Sequence, residues 1–161
     1  MARRYSINAE KPNLDLIYEA AERIRLGGII IIPTDTAYGL TGNPTDPIAV
    51  QRIIRVKMRI GKSGMPLLVK NLAQAHTLVK LPKIAQDLAT QFWPGALTLI
   101  APTLHSFPPG VLGPQNSLAI RVPDHPVALA VIQATGFAII GTSANKSDTP
   151  SPRTAEAAEA G

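Results

Sequence analysis

The spacing of apolar residues changes character several times along the chain, and each change marks an element. Leu14, Ile17, Ala20, Ala21 and Ile24 recur at helical spacing, so a helix is predicted from Leu14 to Leu26, stopped by Gly27 and Gly28. Ile29 to Ile32 is an unbroken apolar run of strand length, closed by Pro33, and a polar loop from Thr34 to Thr36 leads on to Tyr38, Gly39 and Leu40. Asn43 to Pro47 has turn composition, with Asp46 placed to cap a helix from Ile48 to Val56.

Lys57 to Gly64 is basic and contains glycine. Beyond it, Pro66 to Val69 predicts a short strand, Leu72 to Leu78 a helix opening at Asn71, and Ile84 to Phe92 a further helix broken by Pro94 and Gly95. Leu97 to Ala101 and Ser117 to Val122 read as strands separated by a loop that includes Pro108 to Pro114. Pro126 to Ala134 predicts a helix, Phe137 to Ile140 a strand, and Ser147 to Pro152 a loop before a short alanine-rich helix. Alternating strands and helices without a repeat predict a single α/β domain with helices packed on a sheet. The sheet should be mixed in direction, because its strands at Leu97 and Ser117 are joined by loop alone.

Composition narrows this picture. A length of 161 residues suits one domain, and 45% hydrophobic with only 4% aromatic residues makes the core aliphatic. The net charge of +5 suits phosphate-bearing partners without choosing between a nucleotide and a nucleic acid. With no cysteine there is no disulfide framework and no thiolate, and His76, His105 and His125 lie far apart, so no metal site is expected. No apolar run approaches the roughly 20 residues that span a bilayer, and Arg3 and Arg4 precede no apolar signal core, so a cytoplasmic protein with no membrane contact is expected.

Candidate chemistry gathers at four places. Thr142, Ser143 and Asn145 follow the apolar run Ala138 to Ile140 and offer hydrogen-bonding groups at a strand end. Thr34, Asp35 and Thr36 stand where another strand gives out, a usual ligand position in open α/β sheets, though a turn uses the same residues. Lys57, Arg59 and Lys62 beside Gly61 and Gly64 could clamp phosphate oxygens, although taken alone they better describe a solvated basic loop. Arg121 sits in an otherwise apolar strand, where burial demands an anion; a carboxylate ligand or an internal Asp would each satisfy it. His125 before Pro126 reads as a helix cap, and Trp93 before Pro94 as a core aromatic at a helix end. No GxxxxGK[ST] or GxGxxG loop, HExxH motif or Ser-His-Asp spacing is present.

In order along the chain stand Pro33-Thr34-Asp35-Thr36-Ala37-Tyr38-Gly39-Leu40, Lys57-Met58-Arg59 and Pro66-Leu67-Leu68-Val69. They are followed by Trp93-Pro94-Gly95-Ala96-Leu97-Thr98, by Ser117 to Pro126, and by Thr142-Ser143-Ala144-Asn145-Lys146-Ser147. Together these segments resemble the YrdC-like family, the threonylcarbamoyl-AMP synthases, over roughly Leu14 to Thr154. The resemblance implies the YrdC-like fold, a twisted open mixed β-sheet with flanking helices around a basic concave cavity. It implies a nucleotidyltransferase that makes threonylcarbamoyl-adenylate and pyrophosphate from L-threonine, bicarbonate or CO2, and ATP with Mg²⁺. The product would pass to tRNA threonylcarbamoyl-transfer proteins for the N6-threonylcarbamoyladenosine (t6A37) modification of tRNA.

Carried over residue by residue, the resemblance gives Thr34, Arg121 and Thr142 to threonine, the guanidinium pairing with its carboxylate. Lys57 and Arg59 would be catalytic and hold the ATP phosphates, and Thr98, Ser143, Asn145 and Ser151 would bind the nucleotide. Met65, Ile60, Ala96 and Asp148 depart from the family pattern, Asp148 standing where relatives carry Gly and Met65 where they carry a polar residue. The chain, read as one domain over residues 1–161, also stops before the strand and arginine-bearing segment with which relatives continue. That stop and Met65 motivate a second expectation, a catalytically reduced module of the same fold that contacts tRNA or double-stranded RNA by charge and shape. The carbamoyl-transfer domain of hydrogenase maturation is a remoter relative, normally accompanied by zinc-finger modules that a chain without cysteine lacks.

Overall fold

The computed structural model describes residues 3–58 and 64–160. Its helices follow the predicted periodicity. Helix α1 (Leu14–Arg25) opens at Asn13, whose side chain accepts hydrogen bonds from the Asp15 and Leu16 amides at 2.9 and 3.3 Å. It ends where Gly27 takes a left-handed φ of 75°. Helix α2 (Pro47–Val56) is capped by Asp46, which accepts from the Ile48 amide at 2.8 Å, and α3 (Leu72–Leu78) by Asn71. Helices α4 (Lys83–Phe92), α5 (Pro126–Thr135) and α6 (Ala155–Ala160) complete the set.

Two small sheets carry the strands. One has the order β1–β2–β7, formed by Ile30–Ile32, Gly39–Thr41 and Thr142–Ser143, with both pairings antiparallel. The other has the order β4–β5–β3–β6, formed by Leu99–Pro102, Ser117–Arg121, Leu67–Leu68 and Ile139–Ile140. Here β3 runs parallel to β5, while β4 on β5 and β6 on β3 are antiparallel. The predicted mixture of directions is present, and the two loop-joined strands pair antiparallel with Ile100 opposite Ala119.

The sequence pattern misses β2 and β7. Both are very short and carry Gly, Thr and Ser, residues that locally describe a loop; β2 is a strand because it pairs with β1 from Gly39 to Thr41, and β7 because Ser143 pairs with Gly39 and Thr142 with Leu40. Between β6 and β7 the chain passes from one sheet to the other. The Ile140 amide donates to Gly42 in the first sheet's connection at 3.0 Å, and the Gly141 amide donates to Pro66 at 2.8 Å.

The core is aliphatic, as the composition requires. Val50, Ile53, Met65, Leu67, Ile120 and Ile140 are fully buried in one cluster, beneath α2 and the larger sheet. A second cluster packs α1 on α5 through Ile17, Ile24, Val131 and Ile132. Arg25 at the end of α1 donates to the carbonyls of Ala134 and Thr135, satisfying the last turn of α5.

The crossing at Gly141 tolerates no side chain, since a Cβ there would lie 2.3 Å from Leu68 Cγ. Leu68 is itself 2% exposed and hemmed in by the second cluster. Gly141→Ala is therefore expected to destabilise the fold by about 1–3 kcal/mol through overpacking, measured by urea denaturation; wild-type stability would show that Leu68 can move aside.

Candidate functional site

A cavity of about 570 Å³ opens where the two sheets meet. Its walls come from segments distant in sequence: the loop after β1, the start of β3, Thr98, the end of β5, the Gly141 crossing, and the stretch from Pro150 to Arg153. Of the residues expected at a site, Thr34, Thr98, Arg121, Ser143 and Ser151 line this one cavity. Thr142 is 5% exposed and forms the strand beside it, whereas Lys57 and Asn145 lie behind the wall. Arg59 and Lys62 fall outside the described residues.

Arg121 is anchored on three sides. Its Nε donates to the Gly95 carbonyl at 2.8 Å, its Nη1 to Thr36 Oγ1 at 2.9 Å, and its Nη2 pairs with Asp35. The anion that a buried arginine demands is thus an internal aspartate, with side-chain exposures of 11% for Arg121 and 18% for Asp35. Gly95 reaches this position because its own amide donates to the Val122 carbonyl at 2.9 Å, docking the Trp93–Gly95 turn on the end of β5. Trp93 packs against the core and donates from Nε1 to Leu97, matching its expected place at a helix end.

Thr34 shapes the loop in which Asp35 sits. Its hydroxyl donates to the Ala37 carbonyl at 2.6 Å and accepts from the amides of Thr36 and Ala37 at 3.2 Å. His125 caps α5, its Nδ1 accepting from the Val127 amide at 3.3 Å. Burial pulls its pKa below the ordinary value against the opposing charges of Asp35 and Asp124, so the ring beside this loop is neutral at neutral pH.

Lys57 does not line the cavity. It ends α2 with its side chain buried, and its ammonium donates to the carbonyls of Ser143 and, at 2.8 Å, Asn145. Its own carbonyl accepts from the Ser147 amide at 2.9 Å, so one residue holds both ends of the turn after β7. Asn145 continues the turn by donating from Nδ2 to Thr149, while its Oδ1 and the Ser147 hydroxyl are buried without a partner. Asp148 has a φ of 69°, a left-handed backbone that glycine adopts freely and Asp tolerates better than most residues. Met65 is fully buried in the core, so at this position the chain presents no polar group to the cavity.

The sequence pattern did not single out Arg153. It lines the cavity and, among the described residues, makes neither hydrogen bond nor ion pair. Its segment is fixed by the Tyr38 amide, which donates to Pro152 at 2.8 Å, while the Tyr38 carbonyl accepts from Ala144 at 2.9 Å. The available signal was Pro150 and Pro152, whose fixed φ restricts the segment that carries Arg153 two positions past Ser151. Arg121 and Arg153 are the charged groups among the described lining residues, so the cavity presents positive charge to a ligand.

Lys57 serves the wall rather than the void, and removing its donors should loosen that wall. Lys57→Met is expected to cost about 1–3 kcal/mol in urea denaturation, with faster amide exchange over residues 143–149, because buried carbonyls lose their partner. Unchanged stability and exchange would contradict this assignment.

The sequence and the fold have known counterparts. Residues 22–161 match the Sua5/YciO/YrdC family model, described as "Telomere recombination". The threonylcarbamoyl-AMP synthase of Bacillus subtilis is 39% identical over 142 residues, which cover 87% of this chain and 41% of that protein. The threonylcarbamoyl-AMP synthase of Chromobacterium violaceum is 34% identical over 148 residues, covering 91% and 76%. The crystal structure of Pyrococcus abyssi Sua5 complexed with L-threonine superposes with a TM-score of 0.89 at 36% identity, covering 96% of this chain and 46% of that one. The chain thus spans less than half the length of some relatives that it matches over nearly its whole extent. It belongs to the Sua5/YciO/YrdC family.

Proposed function

We propose that this domain makes threonylcarbamoyl-adenylate and pyrophosphate from L-threonine, bicarbonate or CO2, and ATP, as a nucleotidyltransferase supplying the t6A modification of tRNA. The observation that carries this reading is the placement of a pre-anchored arginine, Arg121, across one cavity from Ser143, Ser151 and the unpaired Arg153. The naming of relatives as threonylcarbamoyl-AMP synthases and the threonine complex of a similar protein support it.

Arg121 keeps two of the five guanidinium N–H groups after its three protein contacts, enough for a bidentate carboxylate. Ser143, Ser151 and Thr98 offer hydroxyls to the nucleotide, and Arg153 stands ready for a phosphate. Arg59, in the segment outside the described residues, is the second phosphate ligand in this reading. Lys57, Asn145 and Thr142 act through the wall they build, and Thr34 through the loop that carries Asp35.

The step needs no side-chain nucleophile. The free amine of threonine first adds to CO2, releasing a proton to solvent, or condenses with bicarbonate, releasing water, to give the N-carboxylate. Its oxygen then attacks the α-phosphorus in line, and the α–β phosphoanhydride bond breaks with its electrons leaving on the pyrophosphate. The protein contributes alignment and neutralisation of charge on the α-phosphate and the leaving group. Mg²⁺ enters as part of the ATP substrate. The adenylate then passes to tRNA threonylcarbamoyl-transfer proteins. A cavity of about 570 Å³ has the size of small-molecule sites, which favours this reading over an RNA-binding module.

Purified protein supplied with L-threonine, bicarbonate, Mg²⁺ and ATP should release pyrophosphate only when both threonine and bicarbonate are present. Arg121→Ala should lower kcat/KM for threonine about 100-fold or more while the protein still melts cooperatively. Pyrophosphate release that ignores threonine, or that survives Arg121→Ala at the wild-type rate, would overturn the proposal.

A further inference from the structure

Ser151 and Arg153 stand on a cavity wall that few contacts hold. The Tyr38 amide fixes Pro152, and just beyond Arg153 the chain enters α6, whose first turn is closed by Thr154. The Thr154 hydroxyl accepts from the Ala157 amide at 3.2 Å and its carbonyl from the Ala158 amide at 3.1 Å. Arg153 is therefore set between one backbone bond and the base of α6, and the direction of α6 decides how it enters the wall. That helix buries little: of its six residues Ala158 alone is in the core, a methyl group's worth of apolar contact.

A second hold comes from a segment far away in sequence. Residues 3–13 form neither helix nor strand, yet they are seated on the body of the domain. Ile7 packs on the cluster that joins α1 to α5, and the Tyr5 hydroxyl donates to Glu19 of α1 at 2.9 Å. From that seat Arg4 reaches α6, its Nη2 paired with Glu156 and its Nη1 4.0 Å from Glu159. Glu156 raises the pKa of the Arg4 guanidinium, chiefly through their hydrogen bond, and Glu159 and the Tyr38 phenol add to the rise. The cation thus stands where α6 meets the loop that holds Pro152. Exposed ion pairs are individually weak, but here the element they hold has a single buried alanine as its other side-chain anchor.

We infer that Arg4 is a positioning residue for the nucleotide: it straps α6 to the body of the domain and so holds Ser151 and Arg153 in place before ATP arrives. The inference rests on the reading that this cavity takes ATP, and it extends the site to a segment that does not line the cavity. A wall ordered in advance does not have to be ordered by the ligand, so the strap contributes to affinity without touching it. Its loss should weaken ATP and spare L-threonine, because Arg121 has its own anchors at Gly95, Thr36 and Asp35.

Isothermal calorimetry on the full chain, with MgATP and separately with L-threonine, measures this split. Arg4→Ala should weaken ATP binding about threefold to tenfold, leave L-threonine binding within about twofold of wild type, and leave the melting curve unchanged. Arg4→Lys, which can still pair with Glu156, should keep most of the ATP affinity. The chain has no cysteine, so a variant carrying Arg4→Cys and Glu156→Cys can be joined by a bismaleimide at that pair alone. Before joining it should bind ATP as weakly as Arg4→Ala, and joining should bring the affinity back to within about twofold of wild type. No recovery on joining would mean that the Arg4 charge acts on the nucleotide directly, and would overturn the inference. Equal weakening of both ligands in Arg4→Ala would overturn it too, as a general structural effect. If wild type binds L-threonine but no ATP, the nucleotide reading fails and the inference falls with it. If wild type binds ATP and Arg4→Ala binds it equally well, the inference alone fails.

Discussion

Lys57 ends helix α2 with its ammonium buried against the carbonyls of Ser143 and Asn145. A lysine in that position must be satisfied or neutralised, and carbonyl oxygens on a turn satisfy it only if the turn holds one shape. The constraint therefore runs both ways. The ammonium fixes the turn after β7, and the turn's carbonyls satisfy it out of reach of water. Everything that borders the cavity on this side follows from it: β7 pairs with β2, Tyr38 of the incoming β2 segment holds Pro152, and Arg153 is delivered to the wall.

On the other side the organising contact is Arg121, gripped by Gly95, Thr36 and Asp35 before any ligand arrives. A long side chain held at three points has lost most of its rotamer freedom on folding, so binding does not have to remove it again. The two walls are joined at Gly141, where the chain changes sheets over Leu68 with no room for a side chain. The cavity is thus a consequence of how two small sheets are joined, which agrees with the preference of ligands for places where sheet topology changes.

The sequence was legible where local chemistry decides structure. The caps Asp46 and Asn71, the helical spacing of Ile17, Ala21 and Ile24, and the aliphatic core could be read directly. Thr34, Thr98, Arg121 and Ser143, which stand in the ordered motifs, and Ser151, which the resemblance added, all line one cavity. Strands β2 and β7 were not legible, since neither has a strand pattern of its own: β2 forms by pairing with β1 and β7, and β7 by pairing with β2, about a hundred positions away along the chain. Lys57 was assigned to phosphates by resemblance, yet its carbonyl partner at Ser143 lies 86 positions away, and no local pattern records such a contact. Arg121 posed a choice between a ligand and an internal aspartate; the structure supplies the aspartate and leaves two donors over for a ligand.

The account stands on Lys57 building the wall while Arg121 and Arg153 face the ligands across it. A crystal structure of the chain with L-threonine and a non-hydrolysable ATP analogue measures this most directly. It should show the threonine carboxylate on the outward N–H groups of Arg121, phosphate oxygens at Arg153, and the Lys57 ammonium still on the carbonyls of Ser143 and Asn145. Threonine bound away from Arg121, or Lys57 drawn out of its carbonyl cradle onto the triphosphate, would contradict it.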